Sequence, residues 1–221
     1  MSSDKKRFDL IVFDWDGTLM DSAAAIVVAL QQACTDIGLP PPEPRQARSV
    51  IGLGLREAIS QAVPSVTEAQ LPQLVERYRI HYLGSDQTLT LFPGVAEMLA
   101  ALNTAGWQLA VATGKSRIGL NRALAQTGIA RCFETTRCAD ETLSKPNPQM
   151  LLEIMDALAV SPERTLMVGD TTHDLQMARN AAVAALAVSF GAHPRDVLQQ
   201  ETSLAVLDDP QQYLPWFMQH A

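Results

Sequence analysis

Along the chain, short and almost wholly apolar runs end abruptly in polar or glycine-containing clusters. Phe8 to Phe13 stops at Asp14-Trp15-Asp16-Gly17-Thr18, and Trp107 to Ala112 stops at Thr113-Gly114-Lys115. Thr165 to Val168 stops at Gly169-Asp170, Ala184 to Ser189 at Phe190-Gly191, and a weaker run lies near Phe133 to Thr136. Runs of this length, bounded by turn residues, predict strands of a parallel sheet buried on both faces. Segments with helical spacing separate them: Val95 to Thr104 before Gly106, Ser116 to Thr127 before Gly128, Pro148 to Leu158, and a stretch from Asp170 to about Ala182. Ser116 suits an N-cap, Pro148 a first turn and the glycines the stops. The alternation predicts an α/β fold, a three-layer Rossmann-like core around a parallel sheet.

One interval breaks the pattern. More than 90 residues separate the first strand from Trp107, too many for one crossover. Ser22 to Ile37, Leu55 to Val63 and Thr67 to Tyr82 read as helices, with Pro40-Pro41-Pro42 and Pro44 as a stiff connector. The expectation is an inserted all-helical cap over residues 21–88, with residues 1–20 and 89–221 forming the core. Leu91-Phe92-Pro93-Gly94 marks the return to the core.

Composition narrows the class. A chain of 221 residues suits one core with one insertion. Its 17 basic and 24 acidic side chains give a net charge of −7, which disfavours a nucleic-acid partner and leaves any anionic substrate dependent on local positive groups. Cys34, Cys132 and Cys138 are odd in number and lack zinc or disulfide spacing, so they read as small apolar fillers in a reducing compartment. No signal-peptide pattern precedes the first strand, and the longest apolar run, Ala23 to Leu30, is far short of a membrane span. The expectation is a cytoplasmic protein, monomer or homodimer, with no membrane partner.

The chemistry-bearing residues gather at the predicted strand ends, where open α/β sheets bind ligands. Asp14 and Asp16, two residues apart as the chain leaves a strand, point to the same side and repel unless they share a cation or a proton. Asp170 ends another strand, and Asp174 is one helical turn further on. Hard oxygen ligands without Cys or His spacing suit Mg2+ better than zinc. Thr113 and the Gly114 N–H, before a helix start, can hold a phosphate. Lys145 in Ser144-Lys145-Pro146-Asn147-Pro148 can neutralise a phosphoryl group from a rigid turn. Each has a plainer reading taken singly: the aspartates as caps or turns, Thr113 as a cap, and Lys145 as a solvated side chain. Lys115 is read as surface-exposed.

Together these residues resemble the haloacid dehalogenase superfamily of aspartate-nucleophile phosphatases. Asp14-Trp15-Asp16-Gly17-Thr18-Leu19 matches its first motif, Thr113-Gly114 the second, Lys145-Pro146-Asn147-Pro148 the third, and Gly169-Asp170-Thr171-Thr172-His173-Asp174 the fourth. Asp21-Ser22 and Ile51-Gly52-Leu53-Gly54 resemble the phosphoglycolate phosphatase-like subgroup. Where such proteins often carry Ala-Gly after the helix that follows the fourth motif, this chain has Ala181-Ala182, a difference expected to touch the turn and not the chemistry.

The resemblance implies a small phosphorylated metabolite as substrate, Mg2+ as cofactor and the following roles. Asp14 is the nucleophile and Asp16 the general acid and base. Mg2+ is held by the Asp14 carboxylate, the Asp16 carbonyl and Asp170, with Asp174 in support. Thr113, Gly114 and Lys145 hold the phosphoryl oxygens. Among the cap's cations, Arg48 is the candidate for a substrate carboxylate. His193 is read as a surface residue, and His81 and His220 as structural or solvated. Alternatives are a phosphomutase, a pyrophosphatase, a dehalogenase (disfavoured because Asp16 is present), or a phosphate-dependent signalling or binding module.

Overall fold

The computed structural model describes residues 6–86 and 88–221. Residues 1–5 and 87, which fall in the expected core segment 1–20 and cap segment 21–88, lie outside the described residues. Strand β1 (Leu10–Phe13) is followed by four helices, α1 (Ala23–Asp36), α2 (Pro44–Arg48), α3 (Leu55–Ala62) and α4 (Leu71–Asp86). Helix α5 (Val95–Thr104) then leads into β2 (Gln108–Thr113), α6 (Arg117–Thr127), β3 (Thr135–Cys138), α7 (Gln149–Leu158), β4 (Thr165–Gly169) and α8 (Thr172–Asn180). The chain ends through β5 (Ala184–Val188), α9 (Arg195–Leu198), β6 (Val206–Leu207) and α10 (Tyr213–His220).

The six strands form one sheet in the order β3-β2-β1-β4-β5-β6, and every pairing is parallel. β1 is central, with Phe13 opposite both Val111 and Val168. Successive strand residues point to opposite faces, and the two faces pack two different cores. Ile11, Phe13, Leu109, Val111, Leu166 and Val168 join side chains of α5, α6 and α10. Leu10, Val12, Ala110, Ala112 and Met167 join α7, α8 and Leu198. These are the three expected layers. With both faces covered, the polar groups of the sheet have one outlet, the edge where the strands end.

Helices α1 to α4 build a separate apolar cluster that includes Val27, Leu30, Ile59, Leu74 and Val75. Two chain segments link it to the sheet side by side. Phe92 N–H donates to Leu19 O at 2.9 Å, and Asp21 N–H donates to Thr90 O at 3.0 Å.

Several boundaries differ from the sequence reading. Pro44, expected in the connector, instead opens a short helix running to Arg48, because Pro fits the first helical position. The fourth inserted helix starts at Leu71, since Thr67 and Gln70 close a turn on each other's side chains first. β3 lies two residues later than its apolar signal, and β6 and α10 had no sequence prediction. β6 has only two residues, and α10 carries Pro215 within its first turn, so neither presents a clean period. Ala182 follows α8 with φ 57°, a left-handed conformation that glycine adopts more readily.

All three cysteines are free. Cys34 and Cys138 lie within apolar clusters, and burial pushes their thiols up to about 11 and about 12. No helix among the described residues is long and apolar enough to cross a membrane.

Candidate active site

The end of β1 is fixed by the ladder itself: Asp14 N–H donates to Val168 O at 2.9 Å. The chain then turns tightly, with Trp15 O accepting from the N–H groups of Leu19 and Met20 at 3.0 Å each. Gly17 sits at φ 85° inside that turn. A Cβ there would collide with the Asp170 carboxylate, so conformation and space both demand glycine. The turn thereby brings Thr18 against β4, where its hydroxyl donates to Asp170 Oδ1 at 2.8 Å. The other Asp170 oxygen accepts from Ala192 N–H at 2.7 Å. Thr18 is braced in turn from α10, whose Tyr213 hydroxyl donates to Thr18 O at 3.1 Å.

Asp174 satisfies two readings at once. Its Oδ2 accepts from the Thr171 N–H and hydroxyl at 3.1 and 2.7 Å, closing a capping box at the start of α8. Its Oδ1 accepts from Lys145 Nζ at 2.6 Å. The same ammonium donates to Asp14 Oδ1 at 2.5 Å. Lys145, Asp170 and Asp174 have no exposed surface, and Asp14 is 1% exposed.

Three carboxylates thus cluster around a single ammonium that bonds two of them, and ionised together they leave two negative charges unbalanced in a buried site. Burial raises the Asp14 carboxyl well above its ordinary range, with Lys145 opposing and the neighbouring aspartates adding to the rise. Burial, then Asp174, lifts Asp170 to about 7. For Lys145, burial works against the charge, but Asp14 and Asp174 outweigh it and hold the ammonium above the usual lysine range. We take Lys145 as charged. Asp14 Oδ2 is buried with no hydrogen-bond partner. One oxygen each from Asp14, Asp170 and Asp174 lie within 4.8 Å of one another. An orphaned buried oxygen, a hard-oxygen donor set and an excess of two negative charges fit one divalent cation of the Mg2+ type.

The remaining site residues form a second group. The Asp16 carboxylate lies outside that three-carboxylate cluster. It accepts from Ser22 Oγ at 2.7 Å and from Lys115 Nζ at 3.0 and 3.2 Å. Thr113 is fully buried, and its Oγ1 accepts from Lys115 N–H at 3.1 Å. The exposed Lys115 expected from sequence is therefore corrected: its side chain is only 9% exposed. Besides Asp16 it donates to the Tyr82 hydroxyl on α4 at 2.8 Å, with the ammonium 4.6 Å from the ring centroid. A carboxylate and a tyrosine facing each other across the seam hold it in. Lone surface lysines give no such sign in a sequence.

The helical segment closes directly over the sheet edge. A Cβ on Gly114 would stand 2.5 Å from Leu53 O and 2.6 Å from Gly52 O, so the backbone next to Thr113 is roofed by the 52–53 carbonyls. Gly54 N–H donates to Ser144 Oγ at 2.8 Å. Arg48 is half-buried and donates to Gly191 O at 3.3 Å. His193 is 6% exposed, not a surface residue. Its Nδ1 accepts from Thr172 N–H at 3.1 Å, which puts the ring proton on Nε2, 3.3 Å from Ser49 O. Burial, with His173 beside it, lowers its pKa. His173 Nε2 also reaches Ser49 O, at 3.0 Å. His81 pairs with Asp36 on the cap surface and His220 stacks on Trp216, as expected of structural residues. A groove of about 460 Å3 lined by Glu57, Asn180 and residues 143–148 opens beside Lys145, but no carboxylate of the cluster lines it.

Comparison with known proteins agrees with this geometry. A family model described as haloacid dehalogenase-like hydrolase matches residues 11–188. A probable phosphatase, IndB, of Dickeya dadantii is 37% identical over 207 residues, covering 90% of this chain and 89% of its own. A phosphoglycolate phosphatase of Agrobacterium fabrum is 34% identical over 207 residues, covering 90% and 88%. The crystal structure of a predicted phosphoglycolate phosphatase from Haemophilus somnus superposes with a TM-score of 0.84 at 25% identity, over 97% of this chain and 98% of that one. With its motifs at the carboxyl edge of a parallel sheet, the chain belongs to the haloacid dehalogenase-like hydrolases, in the phosphoglycolate phosphatase-like subgroup, and is a phosphoric monoester hydrolase.

Proposed function

We propose that this chain hydrolyses a small, carboxylate-bearing phosphomonoester, of which phosphoglycolate is the simplest, with Mg2+ and through an aspartyl phosphate on Asp14. The observation that carries this reading is the buried Asp14: one oxygen on Lys145, the other unpartnered beside Asp170 and Asp174. Asp14, Asp170 and Asp174 would hold Mg2+, joined by the Asp16 carbonyl. Bound there, the cation offsets charge repulsion between an anionic nucleophile and an anionic phosphate.

In the first step an Asp14 oxygen attacks phosphorus as the bond to the ester oxygen breaks, and Asp16 gives that oxygen its proton. In the second, Asp16 takes a proton from water, whose oxygen attacks phosphorus, releasing phosphate and restoring Asp14. Lys145, Thr113 and the Gly114 N–H stabilise the phosphoryl oxygens throughout. Residues 21–88 act as a cap over the core of residues 1–20 and 89–221. Because Asp14, Asp170 and Asp174 are at most 1% exposed, substrate entry requires the cap to lift, and closure then excludes water.

The test is phosphate release from 2-phosphoglycolate with Mg2+ by the natural protein and by Asp14→Asn. Turnover by the natural protein, lost in the variant and abolished by a chelator, supports the reading. Full activity in Asp14→Asn, or activity that resists the chelator, overturns it.

A further inference from the structure

We propose that Lys115 is the specificity-determining cation of this site, receiving a carboxylate on the alcohol part of the substrate and thereby releasing Asp16. This deepens the reading above and rests on Asp16 as the general acid. The geometry has three parts. Asp16, whose proton the leaving oxygen needs, is held by donors: both its oxygens are within 3.2 Å of Lys115 Nζ, and Ser22 Oγ is 2.7 Å from Oδ1. Asp16 cannot serve a leaving group in that arrangement, so the clasp must open during turnover. Lys115 is held from the other side by the cap, through the Tyr82 hydroxyl and ring. It therefore spans the seam beside the acid.

An ammonium has three donors. Here two go to Asp16 and one to Tyr82. When Asp16 turns toward the ester oxygen, two donors on a side chain that is 9% exposed lose their acceptor. A buried donor left unpaired is costly. A substrate whose alcohol ends in a neutral group leaves that cost in place. A substrate carboxylate replaces the Asp16 carboxylate with the same chemistry and lowers the cost of freeing the acid.

The other cations near the seam are differently engaged. Lys145 bonds Asp14 and Asp174, and Arg48 donates to the Gly191 carbonyl. Lys115 holds the Asp16 carboxylate of its own core and also reaches Tyr82 of the helical insertion across the seam. This differs from the sequence expectation, which gave a substrate carboxylate to Arg48.

The experiment compares kcat/KM for 2-phosphoglycolate and for 2-hydroxyethyl phosphate, which carries a hydroxymethyl group in place of the carboxylate. The comparison is made in the natural protein, Lys115→Met and Tyr82→Phe, all with Mg2+. Lys115→Met is expected to lower the ratio of the two values by about 10- to 100-fold, the range for one charge-assisted contact. Tyr82→Phe, which removes one hydroxyl and keeps the ring, is expected to lower it roughly threefold. A ratio that is unchanged or raised in Lys115→Met overturns the inference, because a merely structural loss reduces both substrates together. Should Lys115→Met fail to fold, an unchanged ratio in Tyr82→Phe overturns it. Absence of 2-phosphoglycolate turnover by the natural protein overturns the proposed function and this inference with it. Turnover with an unshifted ratio overturns the inference alone.

Discussion

At the carboxyl edge of the sheet, Asp14, Lys145, Asp170 and Asp174 are at most 1% exposed, and Lys145 bonds two of the three carboxylates. The roof above them is built differently. Residues 48–54 of the helical insertion contribute backbone carbonyls, two glycines and one arginine, and α4 contributes Tyr82. The floor concentrates charge that only burial and a fixed backbone can hold together. The roof supplies shape and a few hydrogen bonds. On the proposed mechanism, fixed charge serves the bond-breaking step and the roof serves substrate selection. Substitutions in floor and roof should therefore differ in size and kind of effect.

The largest effect belongs to the floor. Asp14→Asn should lower kcat by on the order of 10³-fold or more, as loss of a nucleophile does, with the fold retained by circular dichroism. Next is Lys145→Met, which leaves three buried carboxylates without their ammonium. It should cost about 3–5 kcal/mol in denaturant unfolding without metal, the penalty for removing one partner of a buried pair. Mg2+ should restore part of that loss.

In the unaltered protein, Mg2+ at one hundred times its Kd should raise stability by about 2.7 kcal/mol, read as a higher Tm that a chelator reverses. An unchanged Tm would detach the carboxylate cluster from any metal role.

The roof should respond more gently. Gly114→Ala puts a methyl group against the Leu53 and Gly52 carbonyls. It should hold the cap off the sheet and lower kcat/KM by about 10-fold, a loss of roughly 1.4 kcal/mol in transition-state binding, with little change in Tm. Smallest is Ala182→Gly, outside both regions. Relieving the left-handed Ala182 should stabilise the protein by about 0.5–1 kcal/mol and leave the kinetics alone.

The parallel core was legible because its strands are buried on both faces, so Leu10–Phe13 and Leu109–Ala112 read as unbroken apolar runs. The site was legible for a related reason. A buried sheet edge is the one place such a core can expose chemistry, and Asp14, Thr113 and Asp170 stand at or just past strand ends. Elements with no period of their own escaped, among them two-residue β6 and Pro-containing α10. With α10 went Tyr213, which braces the Thr18 turn. Lys115 and His193 were misread because a polar side chain far from its partner in sequence carries no mark of burial.

Local period and motif spacing are properties of neighbouring residues, so the strand–helix alternation, the inserted helices and the residue types at the strand ends could be read directly along the chain. Long-range packing was needed to place Lys145 between Asp14 and Asp174, Asp16 against Lys115, and the 52–53 carbonyls over Gly114. Those contacts join positions from 29 to 131 residues apart. They exist because packing and charge neutralisation in a space closed to water leave each buried group few partners to choose from.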